Sequence, residues 1–239
     1  MRSVISGSVV VLIWTLNQPS LQAQETIFLV RHAERAGGEG PNVPLTPFGK
    51  AQARLLADYL EDAGITAIYY SRLDPAIDPD HKGNLILRTK LTAAPLLERL
   101  NAKAKGSIAE YDLFYDPGKL ANWRDHPEVM LPFAQTAVDT VGRNQKERPA
   151  KAILIVGHEN TVPALIRQLA SSRPWPLDPE TSLRQTHEFM SPLEFGLLYQ
   201  VKPNAATPRS FLRITRYATS SSKAVPGSVI YPIEPNGMK

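Results

Sequence analysis

The chain has 239 residues, 43% of them hydrophobic and 21% charged, with a formal net charge of +4 and no cysteine. That supplies enough apolar material for one globular domain with its own core, and too much for a wholly disordered chain. No apolar run reaches the roughly 18 residues of a membrane span, the interleaved charges do not point to nucleic acid, and disulfides, thiol chemistry and cysteine-ligated metals are excluded.

Arg2 opens a short positive end, and Val4 to Leu16 is largely apolar. A polar stretch follows, ending in Leu21-Gln22-Ala23, with a small residue where signal peptidase cuts. Residues 1–23 therefore read as a secretory signal peptide, and the expected location is periplasmic or secreted, with no stable membrane insertion after cleavage. Thr26 to Val30 is a continuous β-rich apolar run, the pattern of a buried central strand. Thr46-Pro47 reads as an N-cap followed by proline at the first helical position, opening a helix that Gly64 closes. Ala67 to Ser71 is a second predicted strand. Residues 72 to 87, with Pro75, Pro79 and Gly83, read as an irregular loop before a helix over Thr89 to Leu100.

Glu110 to Asp125 is aromatic and acidic and is expected to be irregular. An amphipathic helix is predicted from Pro127 or Pro132 to about Arg148. Ala152 to Val156 is the third strong strand, Thr161 to Ala170 a helix, and Phe195 to Val201 and Phe211 to Tyr217 are two further strands. Residues 24–217 thus form one predicted α/β domain, and 218–239, rich in Ser, Gly and Pro, a loose tail. Alternating strands and helices predict a parallel or mixed sheet covered on both faces.

In such sheets ligands bind beyond the carboxyl ends of the strands. Arg31-His32-Ala33-Glu34-Arg35 follows the first strand, Gly157-His158-Glu159-Asn160-Thr161 follows the third strong one, and Arg88-Thr89 opens a helix. Two of the five histidines and at least two arginines thus converge on one face. The pattern suits phosphoryl transfer: arginine forks match phosphate oxygens, and a neutral imidazole between cations attacks phosphorus. His81, His126 and His187 read as surface or loop residues. Tyr111, Phe114, Tyr115 and Trp123 read as a loop packed on the core rather than as pocket walls. His158 and Glu159 have no third ligand at metal-binding spacing, so no metal or other cofactor is expected.

These segments resemble the histidine phosphatase superfamily, which contains the cofactor-dependent phosphoglycerate mutases and the histidine acid phosphatases. Leu29-Val30-Arg31-His32 with Ala33-Glu34 is similar to its Arg-His-Gly signature. Leu45-Thr46-Pro47-Phe48-Gly49 with Gln52-Ala53 is similar to its Leu-Thr-x-x-Gly-x-x-Gln-Ala helix start. Tyr69-Tyr70-Ser71 with Arg88-Thr89, and Val156 to Pro163, resemble two further segments.

The resemblance implies a three-layer α/β/α sandwich around a mostly parallel sheet, phosphoglycerate mutase-like. It also implies a phosphohistidine on His32, with Arg31, Arg88 and His158 completing the phosphate pocket. Arg72 competes with Arg88 for the second arginine role; Arg88 is favoured because it opens a helix and precedes Thr89. Arg35 looks like the second arginine of the acid-phosphatase branch. The proton donor is open: the mutase-like branch points to the segment holding Glu110 and Asp112, and the acid-phosphatase branch points to Glu159. Glu34 is open too, as a partner for a neighbouring arginine. The expectation is an exported, metal-independent hydrolase of small phosphate monoesters. Mutase activity does not fit an exported chain, which would not meet glycolytic intermediates. The alternatives are an envelope-modifying phosphatase of the same chemistry and a catalytically weak phospho-ligand-binding protein of the same fold.

Overall fold

The computed structural model describes residues 26–37, 43–74, 87–104, 107–116, 118–119, 123, 126–171, 195–206 and 211–218. The expected leader, most of the loop after residue 72, the segment 172–194 and the tail from 219 lie outside the described residues.

The elements run β1 (Thr26–Arg31), α1 (Pro47–Leu60), β2 (Ile65–Leu73), α2 (Leu87–Lys103), β3 (Ala109–Tyr115), α3 (Leu131–Glu147), β4 (Ala152–Gly157), α4 (Thr161–Ser171), β5 (Leu197–Val201) and β6 (Leu212–Arg216). They build a six-stranded sheet in the order β3-β2-β4-β1-β5-β6. The first four strands in that order pair in parallel, and β5 and β6 add antiparallel pairs at one side.

Period-two alternation assigns the two faces of the sheet. Ile27, Leu29, Tyr69, Ile153 and Ile155 pack with Phe133, Ala137 and Val141 of α3 and Val162, Leu165 and Leu169 of α4. Phe28, Val30, Ile68, Tyr70, Leu154 and Val156 pack with Leu56, Ala57 and Leu60 of α1 and Ala93, Leu96 and Leu100 of α2. The result is three layers, with β1 and β4 apolar on both sides because both sides are covered. Among the described residues no helix is long and apolar enough to cross a membrane.

The helix starts follow their local chemistry. Thr46 caps α1, its hydroxyl accepting from the Gly49 amide at 2.8 Å, with Pro47 in the first turn. The helix stops at Leu60, and Gly64 takes φ 72°, a left-handed turn that leads into β2. Pro127–Met130 forms a single 3-10 turn that runs into α3, so both prolines proposed as the start of that helix lie at a helical boundary. α2 begins at Leu87, before Thr89, and carries Pro95 in its interior without breaking.

The segment expected to be irregular contains β3. Tyr111, Leu113 and Tyr115 face the α3 layer, while Glu110 and Asp112 point the other way, to Tyr70 and Arg72 of the neighbouring strand. The period-two pattern was present in the sequence. Acidic residues on an edge strand, where charges guard an unpaired edge, made it look like a loop. At the other end, Ala218 is buried and its amide donates to the Gly196 carbonyl, so the packed domain reaches one residue past its expected end at 217.

Candidate active site

β1 and β4 are adjacent and parallel, yet β1 leads to α1 on one face of the sheet and β4 to α4 on the other. Diverging connections leave a crevice at the carboxyl ends of such strands. The register sets Arg31 opposite Gly157, so His32 and His158 leave the sheet side by side. The His32 amide donates to the Gly157 carbonyl at 2.9 Å. The two imidazoles lie 5.2 Å apart, edge to face, and are only 4% and 5% exposed.

Buried hydroxyls tie the segments together. Thr92 of α2 accepts from the Ala33 amide at 2.8 Å and donates to the Arg88 carbonyl at 2.7 Å, so the turn after β1 is fastened to the turn that presents Arg88. Thr161 accepts from the His158 amide at 2.8 Å at the start of α4, and the Ser71 hydroxyl at the end of β2 reaches Thr161 at 3.3 Å. Gly157 makes this closeness possible. A Cβ there would come within 2.6 Å of the Thr161 hydroxyl and 2.9 Å of a Val162 methyl. Glu34 accepts from the Thr46 hydroxyl at 3.0 Å, and its amide donates to Gln52. It therefore serves the start of α1 rather than pairing with an arginine in the way the sequence left open.

The tautomer of His32 follows from its partner. Nδ1 lies 2.8 Å from the Ala33 carbonyl, which can only accept, so the proton sits on Nδ1 and Nε2 keeps its lone pair. Burial pushes the His32 pKa well below its ordinary 6.5, with Arg88 next in weight and Arg31 and Arg35 adding to it; the Ala33 hydrogen bond opposes them. Burial also depresses His158, helped by His32, Arg88 and Arg31 and opposed by the Ser71 carbonyl. Both rings are therefore neutral at pH 7. Burial lowers the pKa of Arg88 as well, but arginine remains charged.

These groups border a cavity of about 200 Å³, smaller than the roughly 300–1,000 Å³ of pockets for drug-sized ligands. Of the residues singled out in the sequence, Arg31, His32, Arg35, Arg88, His158 and Glu159 line it. Glu159 pairs with Arg31 at 3.2 Å. Arg72 does not line it and pairs with Asp112 on β3.

Glu110 is not in the lining either. Its carboxylate accepts from the Tyr70 hydroxyl at 2.8 Å, a proton that burial and Glu110 itself hold firmly on the phenol. The structure thus separates the two candidate acids, with Glu159 at the cavity and Glu110 along β3, opposite Ile68 and well before the strand's carboxyl end.

Tyr115, Trp123 and Asn160 complete the wall, which corrects the sequence reading of Tyr115 and Trp123 as packed on the core rather than as pocket walls: both lean on the core and still border the cavity. Tyr115 ends β3 and sets its ring edge against His158 at 5.5 Å. Burial raises its pKa to about 12, so it keeps its proton. Had β3 been read as a strand, the strand-end rule would have pointed to Tyr115; Trp123 carries no comparable signal. Among the described residues no group of three or more histidines and carboxylates is arranged to hold a metal.

The family model described as histidine phosphatase superfamily (branch 1) matches residues 27–186, about two thirds of the chain. The chain belongs to the histidine phosphatase superfamily. No curated protein matches the full sequence. Among solved structures, a mycobacterial hydrolase superposes with a TM-score of 0.51 at 14% identity, covering 83% of this chain and 93% of its own. A mycobacterial glucosyl-3-phosphoglycerate phosphatase gives 0.48 at 15%, covering 74% and 89%. A phosphoserine phosphatase from Entamoeba histolytica gives 0.46 at 15%, covering 80% and 95%. The fold is phosphoglycerate mutase-like, as the motifs implied.

Proposed function

We propose that the chain is an exported, metal-independent phosphomonoesterase that works through a phosphohistidine. The observation that carries this reading is the neutral, Nδ1-protonated His32 at a cavity lined by three arginines. His32 Nε2 attacks phosphorus and the ester P–O bond breaks. Arg31, Arg88 and His158 hold the phosphoryl oxygens and stabilise the charge of the transition state, while Arg35 adds positive charge at the exposed rim. Glu159 gives a proton to the leaving alkoxide. It then takes one from the water that attacks the phosphohistidine, the N–P bond breaks, and inorganic phosphate leaves. The small cavity favours a substrate whose phosphoryl group is deeply held and whose remaining part reaches outward. The apolar segment after Arg2 and the small Ala23 support export; the mature protein in a periplasmic or secreted fraction is expected to begin at Gln24.

The Arg31–Glu159 ion pair favours one alternative, a phospho-ligand-binding protein. The pair ties the Glu159 carboxylate to the arginine, and a binder needs no proton donor. Turnover separates the two readings.

The test is hydrolysis of p-nitrophenyl phosphate by the mature protein in EDTA, beside His32→Ala. Metal-independent turnover that falls at least roughly a thousand-fold in the variant is the expected result. Vanadate binding without any turnover would favour the binder, and activity that survives in His32→Ala would remove the nucleophile. On an alkyl phosphate, whose leaving group needs the proton, Glu159→Gln is expected to lose roughly 10²–10⁴-fold in kcat. Glu110→Gln is expected to stay near the unmodified protein, and the reverse order would move the acid to β3.

A further inference from the structure

Phe195 lies outside the motifs and outside the cavity lining, yet it touches two of the principal residues of the site. Its ring centroid is 4.3 Å from the Arg31 guanidinium carbon. The same ring lies 5.9 Å from the His32 imidazole, tilted at 51°. We infer that Phe195 is a positioning residue of the phosphoryl pocket, holding the Arg31 guanidinium over its ring and closing the apolar side of His32. The inference rests on the phosphate-pocket reading above.

The fold explains how a residue so late in the chain reaches the site. β5 runs antiparallel to β1, with Leu198 opposite Val30, so the start of β5 lies beside the end of β1. Gly196, at φ 86°, is clamped there. Its carbonyl accepts from the Tyr217 and Ala218 amides, and a Cβ on it would come within 2.2 Å of the Ala218 carbonyl oxygen. The backbone that carries Phe195 is thus fixed on the far side by β6 and its exit.

The geometry of the contact suits its role. Arginine is long and flexible, and an aromatic face under its guanidinium carbon restrains it while its N–H edge can still meet an anion. Glu159 takes part of that edge at 3.2 Å. A phosphoryl group competing for the edge would draw Arg31 from Glu159 without disturbing the contact with Phe195. The ring therefore keeps the guanidinium aimed while its anionic partner changes.

The experiment compares Phe195→Leu and Phe195→Met, which keep apolar bulk without an aromatic face, with Phe195→Tyr and Phe195→Trp, which keep the face. Vanadate affinity and the kcat and KM for p-nitrophenyl phosphate are measured on the full mature chain. The Arg31 side-chain proton shifts, displaced by ring current in the unmodified protein, are recorded beside them, and thermal unfolding verifies folding.

Leu and Met are expected to weaken vanadate binding by roughly two- to thirty-fold and to abolish the ring-current shift, with Tyr and Trp retaining most of both. Undiminished vanadate binding in Leu and Met overturns the inference. Equal losses in all four variants overturn it too, since they would report ring volume rather than the face. If the unmodified protein binds no vanadate, the phosphate-pocket reading fails. The ring-current shift then decides the contact by itself: present and lost in Leu it upholds the hold on Arg31, absent it refutes it.

Discussion

A histidine attacks phosphorus only as the neutral imidazole, and His32 is kept neutral mainly by burial and then by Arg88. The acidic limb of free-enzyme kcat/KM is therefore expected to lie below pH 6.5, because it reports the lowered pKa of His32. Arg88→Met removes the largest charge contribution while leaving burial in place. Titration of the His32 ring by NMR in that variant should give a value higher than in the unmodified protein and still below 6.5. An unchanged value would show that Arg88 exerts no field at the ring. The meeting of Arg31, His32, Arg88, His158 and Glu159 at one cavity was legible in sequence because each follows a strand end or opens a helix. Phe195 was not, because its place depends on the antiparallel pairing of β5 with β1, which no local pattern encodes.

At the scale of the element, the end of β4 is the most tightly built part of the site. Gly157 lets the Thr161 hydroxyl approach, and that hydroxyl holds the His158 amide. Gly157→Ala must push Thr161 and Val162 aside. We expect it to lower kcat/KM by roughly 10²-fold or more, as displacing a single transition-state donor does, with circular dichroism close to that of the unmodified protein. Activity within two-fold of normal would mean that α4 yields without moving His158. The elements themselves were largely readable. β1 and β4 announce themselves as unbroken apolar runs, and Thr46-Pro47 as a cap and first turn. β3 was hidden because Glu110 and Asp112, on the face opposite its apolar residues, put charge at alternate positions of the run, and with it went the signal for Tyr115.

For the whole molecule, two buried histidines with lowered pKa values make stability depend on pH. The folded state resists protonation that the unfolded chain accepts below about 6.5. The sign follows by linkage: stability is fully present above that value and is lost as pH falls from it toward the folded-state values. Tm is expected to drop between pH 7.5 and 5.5, and the drop should shrink in His158→Gln, which has one such group fewer. An equal slope in both proteins would place the pH dependence elsewhere. Vanadate, bound only by the folded state, should raise Tm in proportion to the logarithm of its concentration once the site is saturated.

The strand order also governs when the site comes into being. β1 is made first, but its two neighbours are β4 and β5, and about 120 residues separate the end of β1 from the start of β4. Pairing across such a separation closes a large loop before any contact rewards it, which slows folding. A growing chain therefore carries Arg31 and His32 on a strand without partners through most of its synthesis. The crevice and the fixed tautomer arrive together, once Gly157 has docked and the last two strands have closed the far side. A nascent chain halted before β4 holds the proposed nucleophile but not the cavity in which it would act.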